Sequence, residues 1–463
     1  MPGTGAEIHV TPGANGTVRV APAPLLAHDG LAHEGLAYDG LAYDSTVAAG
    51  PDSTRSVLDV AGAVLIRPVL GDPGLPVAEI HDVGRAQQWL WAVYGPRVAA
   101  AVHACAAGAQ EPRVVGEPAD HPTALANAAA RLGFGHWAAR WWPASYTDGI
   151  PALEQGVLGL ELAALTHRCQ QLFGDLSEPA DPADSGGPGV ELDDCAADLI
   201  EEHRAALDPL IQWWRAEPQP ASTARQLESV LRLVDDAADC AGLDGPDLRR
   251  LRASLDAERE PGRTVSAGAP VGPGALFARG SGYALAAGDP LLAGGRVIAR
   301  GHGTNDWRRC PPGFVDAAED AVSWTARALG ARRRLEVEVV AHVTAPVVGV
   351  PLVAEVRVNG GRAHRVPLAR RDDVWTGRTD LDQDTGAALS SATVPPRIEV
   401  GVLMPGFDPG PGPGPDGRAD RDAIRALARR RLTDATRPRT NDADGTGPFL
   451  AETLAAAATD EDY

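Results

Sequence analysis

The chain has 463 residues, enough for two or three domains, and its 44% hydrophobic and 22% charged residues are typical of a globular protein. Its formal charge of −20 disfavours nucleic acid and anionic membranes as partners, because both are negatively charged. All 42 Lys and Arg positions are arginine, which excludes the usual forms of Walker A ATPases, protein kinases and pyridoxal enzymes, since each needs a lysine.

Residues 1–55 are predicted to be a mostly disordered, low-complexity segment. One hairpin is expected between Glu7 and Val20, around the turn dipeptide Asn15–Gly16. A repeat of five residues follows in HDGLAHEGLAYDGLAYD (28–44), and it matches neither a helical nor a strand period. Low complexity is therefore favoured over the alternative, a metal site formed by His28, Asp29, His33 and Glu34.

Residues 56–258 are predicted to form a mainly helical domain with short leading strands. Its best-defined element is a helix over Pro151–Phe173, because proline suits the first helical position and Gly174 suits the end. Apolar residues recur around most of this helix, which indicates burial on more than one side. A long helix over Glu191–Arg215 and another over Ser222–Ala241 complete a bundle-like arrangement, with His203 as a core or interface residue.

The run WWPASYTDGIP (141–151) precedes the Pro151–Phe173 helix and is expected to lie against it as a rigid, aromatic-rich turn. It has two interpretations. The first is a structural corner, in which tryptophans anchor the packing and prolines fix the backbone. The second is the floor of a binding pocket, whose candidate contact residues are Trp141, Trp142, Tyr146 and Asp148.

Residues 262–405 are predicted to form a β-rich, sandwich-like domain, because short alternating runs are separated by Gly and Pro. Asn359–Gly360 is a hairpin signal within it. The loop from His302 to Cys310 contains many polar residues. An ordinary loop that connects two strands is the favoured interpretation. The alternative is a catalytic site in which Cys310 is the nucleophile and His302 is the base.

Residues 406–463 are predicted to contain a Gly/Pro linker, a short basic helix over Arg418–Leu432 and a disordered acidic tail. The basic helix is interpreted as a solvated face that complements its own dipole. The alternative is binding of nucleic acid or an acidic partner.

None of the familiar catalytic motifs is present, so no catalytic residue, metal site or cofactor is predicted. The five cysteines form no CxxC pair and are expected to be reduced thiols. The sequence has no charged-then-apolar leader and no run of 18 apolar residues, which predicts a soluble, cytoplasmic protein.

The run ARWWPASYTDGIPALEQGVLGLELAAL (139–165), followed by helices and a strand-rich half, resembles accessory proteins of actinobacterial ternary conflict systems. In those systems a MoxR-type ATPase, a von Willebrand A protein and a β-propeller protein are encoded together. The resemblance implies an accessory role, with the ATPase or the von Willebrand A protein as a partner, and it carries no catalytic residue. We therefore expect an α+β protein that acts as a non-catalytic adaptor, and the alternative is an enzyme, most simply a hydrolase.

Overall fold

The protein is a mixed α and β structure with antiparallel sheets, as the α+β prediction states. This computed structural model describes residues 6–22, 52–70, 74–108, 113–117, 123–173, 192–216, 220–259, 276–277, 296–303, 305–342, 352–381, 397–407, 417–437 and 447–461. The chain divides into two compact units. Unit 1 comprises Met1–Ala138, Glu154–Phe277 and Asp434–Thr453, and unit 2 comprises Ala139–Leu153, Ala278–Thr433 and Leu454–Tyr463.

Unit 1 contains a six-stranded antiparallel sheet. Its strands are β1 (Ala6–Pro12), β2 (Val18–Pro22), β3 (Arg55–Val60), β4 (Ala63–Pro68), β5 (Val77–Ile80) and β6 (Arg113–Glu117), in the order β3-β4-β5-β2-β1-β6. The expected hairpin around Asn15–Gly16 is present, with both residues at positive φ, although five residues rather than two connect the strands. Residues 6–22 thus belong to a sheet, as the predicted hairpin requires, and the 28–44 repeat lies outside the described residues.

The described helices of unit 1 are α1 (Val83–Tyr94), α2 (Pro96–Ala106), α3 (Ala124–Trp141, whose last turn lies in unit 2), α4 (Gln155–Arg168), α5 (Gln170–Phe173), α6 (Leu192–His203), α7 (Leu207–Arg215), α8 (Ala221–Cys240) and α9 (Pro246–Arg259). Among them is a buried helix, α4, against which α6 and α8 pack. Every residue from Gly156 to Thr166 is buried, as the broad apolar pattern predicts. Glycines allow close packing, and a Cβ placed on Gly159 would lie 1.8 Å from Cδ2 of His203 in α6.

Two of the predicted helices are shorter than expected. Residues 151–154 are not helical, with Glu154 at the N-cap of α4, and Cys169 separates α4 from α5. The predicted 191–215 helix is broken by a 3₁₀ turn, Arg204–Ala206, before α7 begins. Pro209 explains this break, because proline in a helix interior lacks an N–H and clashes with the carbonyl four residues earlier.

Unit 2 contains two antiparallel sheets. One has five strands in the order β12-β13-β9-β8-β7, and the other has three in the order β11-β10-β14. Asn359 and Gly360 have positive φ, as expected of the predicted hairpin turn. The strands are β7 (Arg296–His302), β8 (Val322–Leu329), β9 (Arg332–Val340), β10 (Val353–Val358), β11 (His364–Pro367), β12 (Ala369–Arg371), β13 (Val374–Leu381) and β14 (Ile398–Leu403).

The C-terminal region forms two helices, α10 (Gly417–Ala435) and α11 (Leu450–Glu461), so the disordered tail prediction is wrong for 450–461. The alanine-rich sequence favours helix, and the apolar residues at its start are buried. In unit 1, Phe449 is fully buried and stacks with Phe134. The buried Glu161 carboxylate accepts the Ala451 N–H at 3.1 Å and a hydrogen bond from Arg131 at 3.5 Å.

Candidate functional site

The candidate site is the corner at residues 143–151, which lies in unit 2 with the strand-rich part of the chain. This placement corrects the prediction that the corner belongs to the helical domain. The backbones of Ser145 and Ile150 form two hydrogen bonds, with N···O distances of 2.7 and 2.8 Å. Gly149 closes the turn with φ of +64°, a conformation that side-chain-bearing residues rarely adopt. The Trp142 indole N–H donates to the Pro151 carbonyl at 2.9 Å. The corner is therefore a closed, hydrogen-bonded loop.

Asp316 fixes this loop from a position 171 residues further along the chain than Ser145. Its carboxylate is only 1% exposed. One oxygen accepts the Ser145 hydroxyl at 2.7 Å and the Ala318 N–H at 2.8 Å. The other accepts the backbone N–H of Tyr146 at 2.7 Å, and the Thr147 N–H lies 3.4 Å away. Because a buried carboxylate needs donors, this arrangement both stabilises the charge and holds the loop in one conformation.

Asp148 joins the corner to the basic helix α10. Its carboxylate lies 3.6 Å from Nε of Arg425 and 3.2 Å from a terminal guanidinium nitrogen of Arg429. Arg429 also donates to the Asp148 carbonyl at 3.3 Å. Arg425 is 4% exposed and binds the Ala317 carbonyl and the Glu319 carboxylate as well. Asp148 is thus already engaged by two arginines, and the corner is held at a second point.

The predicted site residues separate into two buried indoles and one exposed phenol ring. Trp141 and Trp142 are 8% and 6% exposed, and both belong to unit 2. The Arg140 guanidinium lies 4.5 Å from the Trp141 ring centre and 3.9 Å from that of Phe407, so the indole surface is covered. Tyr146, in contrast, is 69% exposed. Of the three predicted aromatic binding residues, Tyr146 is the one whose ring is exposed to solvent.

The His302–Cys310 loop does not favour the nucleophile interpretation. Cys310 is 3% exposed, and burial raises the pKa of its thiol to about 12. A thiol is nucleophilic as its thiolate, so a raised pKa makes it less reactive at neutral pH. His302 is exposed at the end of β7. This geometry suits a buried packing residue better than a catalytic cysteine.

The basic helix α10 carries arginines that are largely engaged by acids of the same unit. Arg421 is 5% exposed and forms two hydrogen bonds with the Glu319 carboxylate, at 3.0 and 2.6 Å. Arg425 and Arg429 bind Asp148 as described above. These partners reduce the positive charge available to an external anion, so the alternative of nucleic acid binding gains no support here.

Asp316, which holds the corner, and Glu319, which binds Arg421 and Arg425, are not among the residues that the sequence indicated. The stretch Ala317–Val322 resembles a helical sequence, which concealed their role. One local signal existed, because the Asp316 side chain accepts the N–H of the residue two positions later, an aspartate turn. Its long-range partners carry no sequence signature.

Within the described ranges, no group of three His, Cys, Asp or Glu side chains could hold a metal ion, and His28, Asp29, His33 and Glu34 lie outside those ranges. No helix among the described residues is long and apolar enough to cross a membrane. Comparisons with protein-family models, with curated proteins and with solved structures return no match for this chain.

Proposed function

We propose that the protein is a non-catalytic adaptor that binds another protein through the corner at residues 143–151. The observation that carries this proposal is the 69% exposure of Tyr146 on a loop whose backbone is fixed by Asp316. The resemblance to accessory proteins of ternary conflict systems supports the same role. It also names the partners to test first, a MoxR-type ATPase and a von Willebrand A protein.

The physical argument is that Tyr146 offers a large contact area at low entropic cost. Tyrosine is enriched among the residues that dominate protein interfaces, because it combines an apolar ring with a polar hydroxyl. Binding is weakened when a loop must first be ordered. Here the hydrogen bonds from Tyr146 N–H and Ser145 Oγ to Asp316 order the loop in advance. A partner therefore meets an aromatic side chain on a rigid support.

The finer architecture also belongs to this proposal. We infer a helical bundle-like arrangement around α4 in unit 1 and a sandwich-like arrangement of the two sheets in unit 2. The latter is supported by Gly303, whose Cβ would lie 2.7 Å from the Val400 carbonyl of β14 and 2.8 Å from Val322 of β8. We propose a cytoplasmic location, in keeping with reduced cysteines.

Isothermal titration of the purified chain with each of the two candidate partners from the same genome tests the proposal. We expect one of them to bind, and Tyr146→Ala to weaken that binding by about tenfold or more, as truncation of an interface anchor does. Trp91→Ala is the matched control, because Trp91 is also a large aromatic residue, 56% exposed, but lies in α1 of unit 1.

Two results would count against the adaptor proposal. The first is that neither partner binds the wild-type chain. The second is that Tyr146→Ala binds as tightly as the wild type, which would place the interface elsewhere. Circular dichroism of both variants excludes a trivial loss of folding.

A further inference from the structure

The segment from Gly447 to Glu452 lies in unit 1, where side chains of three helices contact it. Its last four residues, Phe449, Leu450, Ala451 and Glu452, are fully buried. The hydrogen bonds that join the segment to these helices connect residues 222 to 317 positions apart, so the contacts are tertiary. We call the surface of α3, α4 and α8 that contacts this segment the tail groove. The tail groove is therefore a surface that binds a short peptide.

The ring of Phe449 occupies an aromatic pocket in the tail groove. Its centre lies 6.2 Å from that of the stacked Phe134 ring and 4.6 Å from the Arg131 guanidinium. Gly135 makes room for the ring, because a Cβ there would lie only 3.0 Å from Cζ of Phe449. A cation above the face of a ring is attracted to its π electrons, and stacked rings attract each other. The pocket therefore selects an aromatic side chain.

The backbone on the N-terminal side of Phe449 is held by two side chains. Arg131 donates to the carbonyl of Gly447 at 3.2 Å and to that of Pro448 at 3.1 Å. Gln226 of α8 also donates to the Pro448 carbonyl, at 3.1 Å. Hydrogen bonds to the backbone give affinity and fix the register of a bound peptide, while pockets for its side chains give specificity. These contacts position the Phe449 ring over its pocket.

The backbone on the C-terminal side of Phe449 is held by the carboxylate of Glu161. This carboxylate accepts the Ala451 N–H at 3.1 Å, in the first turn of α11. The N–H groups of a first turn have no partner within the helix, and the helix dipole favours a negative charge there. Within the segment, Glu452 accepts the Phe449 N–H at 2.7 Å, which is a capping-box bond. The segment thus shapes its own helix start, and Glu161 recognises it.

Both sides of this contact retain local structure without the other. The bond between Glu452 and Phe449 lies within the segment and remains when the segment leaves. The tail groove keeps the arrangement of its helices, because α4 packs directly on α8 and on α6. Local openings of this kind require less free energy than global unfolding. The contact is therefore suited to release and rebinding.

We propose that the tail groove is a peptide-recognition site, which residues 447–452 occupy as a releasable ligand. The partner that fits it is a segment in which a proline and an aromatic residue precede the first turn of a helix. The pocket beside Phe134 takes the ring, and the Glu161 carboxylate takes the helix N-terminus. Such a segment on a separate molecule competes with the chain's own residues. This site lies in unit 1, whereas the corner proposed for adaptor binding belongs to unit 2.

Fluorescence anisotropy of a labelled peptide with the sequence of residues 446–453, TGPFLAET, tests this proposal on the full-length chain. Phe449→Ala removes the ring of the chain's own segment, so we expect this variant to bind the peptide with a Kd of roughly 0.1 mM or tighter. The wild-type chain binds it at least about tenfold more weakly, because its own segment occupies the tail groove. The same peptide carrying Phe449→Ala is the control and shows no saturable binding. Adding Gln226→Ala to the Phe449→Ala chain weakens binding by about threefold or more, since one hydrogen bond to the peptide is lost.

Circular dichroism and urea unfolding establish whether the Phe449→Ala chain is folded. A folded variant that binds TGPFLAET no more tightly than the wild type does, or no more tightly than it binds the control peptide, overturns the proposal. If the variant does not fold, hydrogen exchange of the wild-type chain decides, because local and global opening differ in free energy. A releasable segment predicts that the Ala451 amide is protected at least about tenfold less than the Leu162 amide in α4. Equal protection makes the segment a permanent part of the core and also overturns the proposal.

Discussion

Replacing Asp316 by asparagine tests whether this buried carboxylate fixes the corner. The change keeps the shape of the side chain but converts one acceptor oxygen into an amide donor. Both carboxylate oxygens of Asp316 face hydrogen-bond donors. One oxygen faces the Ser145 hydroxyl and the Ala318 N–H, and the other faces the N–H groups of Tyr146 and Thr147. In either orientation the amide group of asparagine therefore faces donors and cannot accept from them.

The expected loss follows from the number of bonds that are broken. Hydrogen bonds to a charged group contribute about 1.5–3 kcal/mol each, and at least one strong bond on either side is lost. A donor left buried without a partner costs a further 1–3 kcal/mol or so. We therefore expect Asp316→Asn to lower the free energy of unfolding by about 3–5 kcal/mol.

Urea unfolding and amide hydrogen exchange measure the global and the local effects. The free energy of unfolding reports the stability, and the exchange rate of the Tyr146 amide reports the loop, which is protected in the wild type by its bond to Asp316. Asp320→Asn is the control, because Asp320 is exposed on the same segment and its change is expected to stay within about 0.5 kcal/mol. An Asp316→Asn variant with wild-type stability and wild-type Tyr146 exchange would refute the reasoning.

Three further predictions concern the core and the thiols. Gly159→Ala is expected to lower the free energy of unfolding in urea by about 1–3 kcal/mol, because its Cβ would clash with the His203 ring. Adding His203→Ala to this variant is expected to recover most of the loss. A Gly159→Ala variant as stable as the wild type would contradict this close packing. Burial raises the pKa of Glu161 from 4.5 to about 7. Between these two pH values the folded state retains a proton that the unfolded state has released, so the free energy of unfolding falls by up to about 3 kcal/mol as the pH rises. Glu161→Gln is expected to remove this pH dependence. If the variant keeps the same dependence on pH, other groups cause it. A thiol reagent at neutral pH is expected to modify Cys195 and Cys240 rapidly and the buried Cys105, Cys169 and Cys310 only on unfolding, and fast labelling of Cys310 contradicts its burial.

The sequence predicts the elements whose signals are local. The apolar pattern of residues 153–172 correctly indicates a helix buried on several sides, and the φ values of Asn359 and Gly360 agree with the turn that this dipeptide favours. The strands of unit 2 are likewise visible as alternating runs, such as Val322–Leu329. In each case neighbouring residues contain the whole signal, because a helix or a hairpin depends on contacts a few residues apart.

The remaining features depend on contacts between distant residues. Asp316 reaches the corner across 171 positions, and no pattern near Ser145 indicates that partner. The acidic last residues of the tail suggest disorder, whereas Phe449 and Leu450 are fully buried in unit 1. Pro209 is the opposite case, since its effect on the 191–215 helix is local and therefore present in the sequence.

Hydrogen exchange at the corner during titration tests the adaptor proposal most directly. The account predicts that a bound MoxR-type ATPase or von Willebrand A protein slows exchange in peptides covering residues 145–150, and that Tyr146→Ala removes this protection together with the binding. Complex formation that leaves exchange at residues 145–150 unchanged would contradict the claim that this corner is the recognition surface.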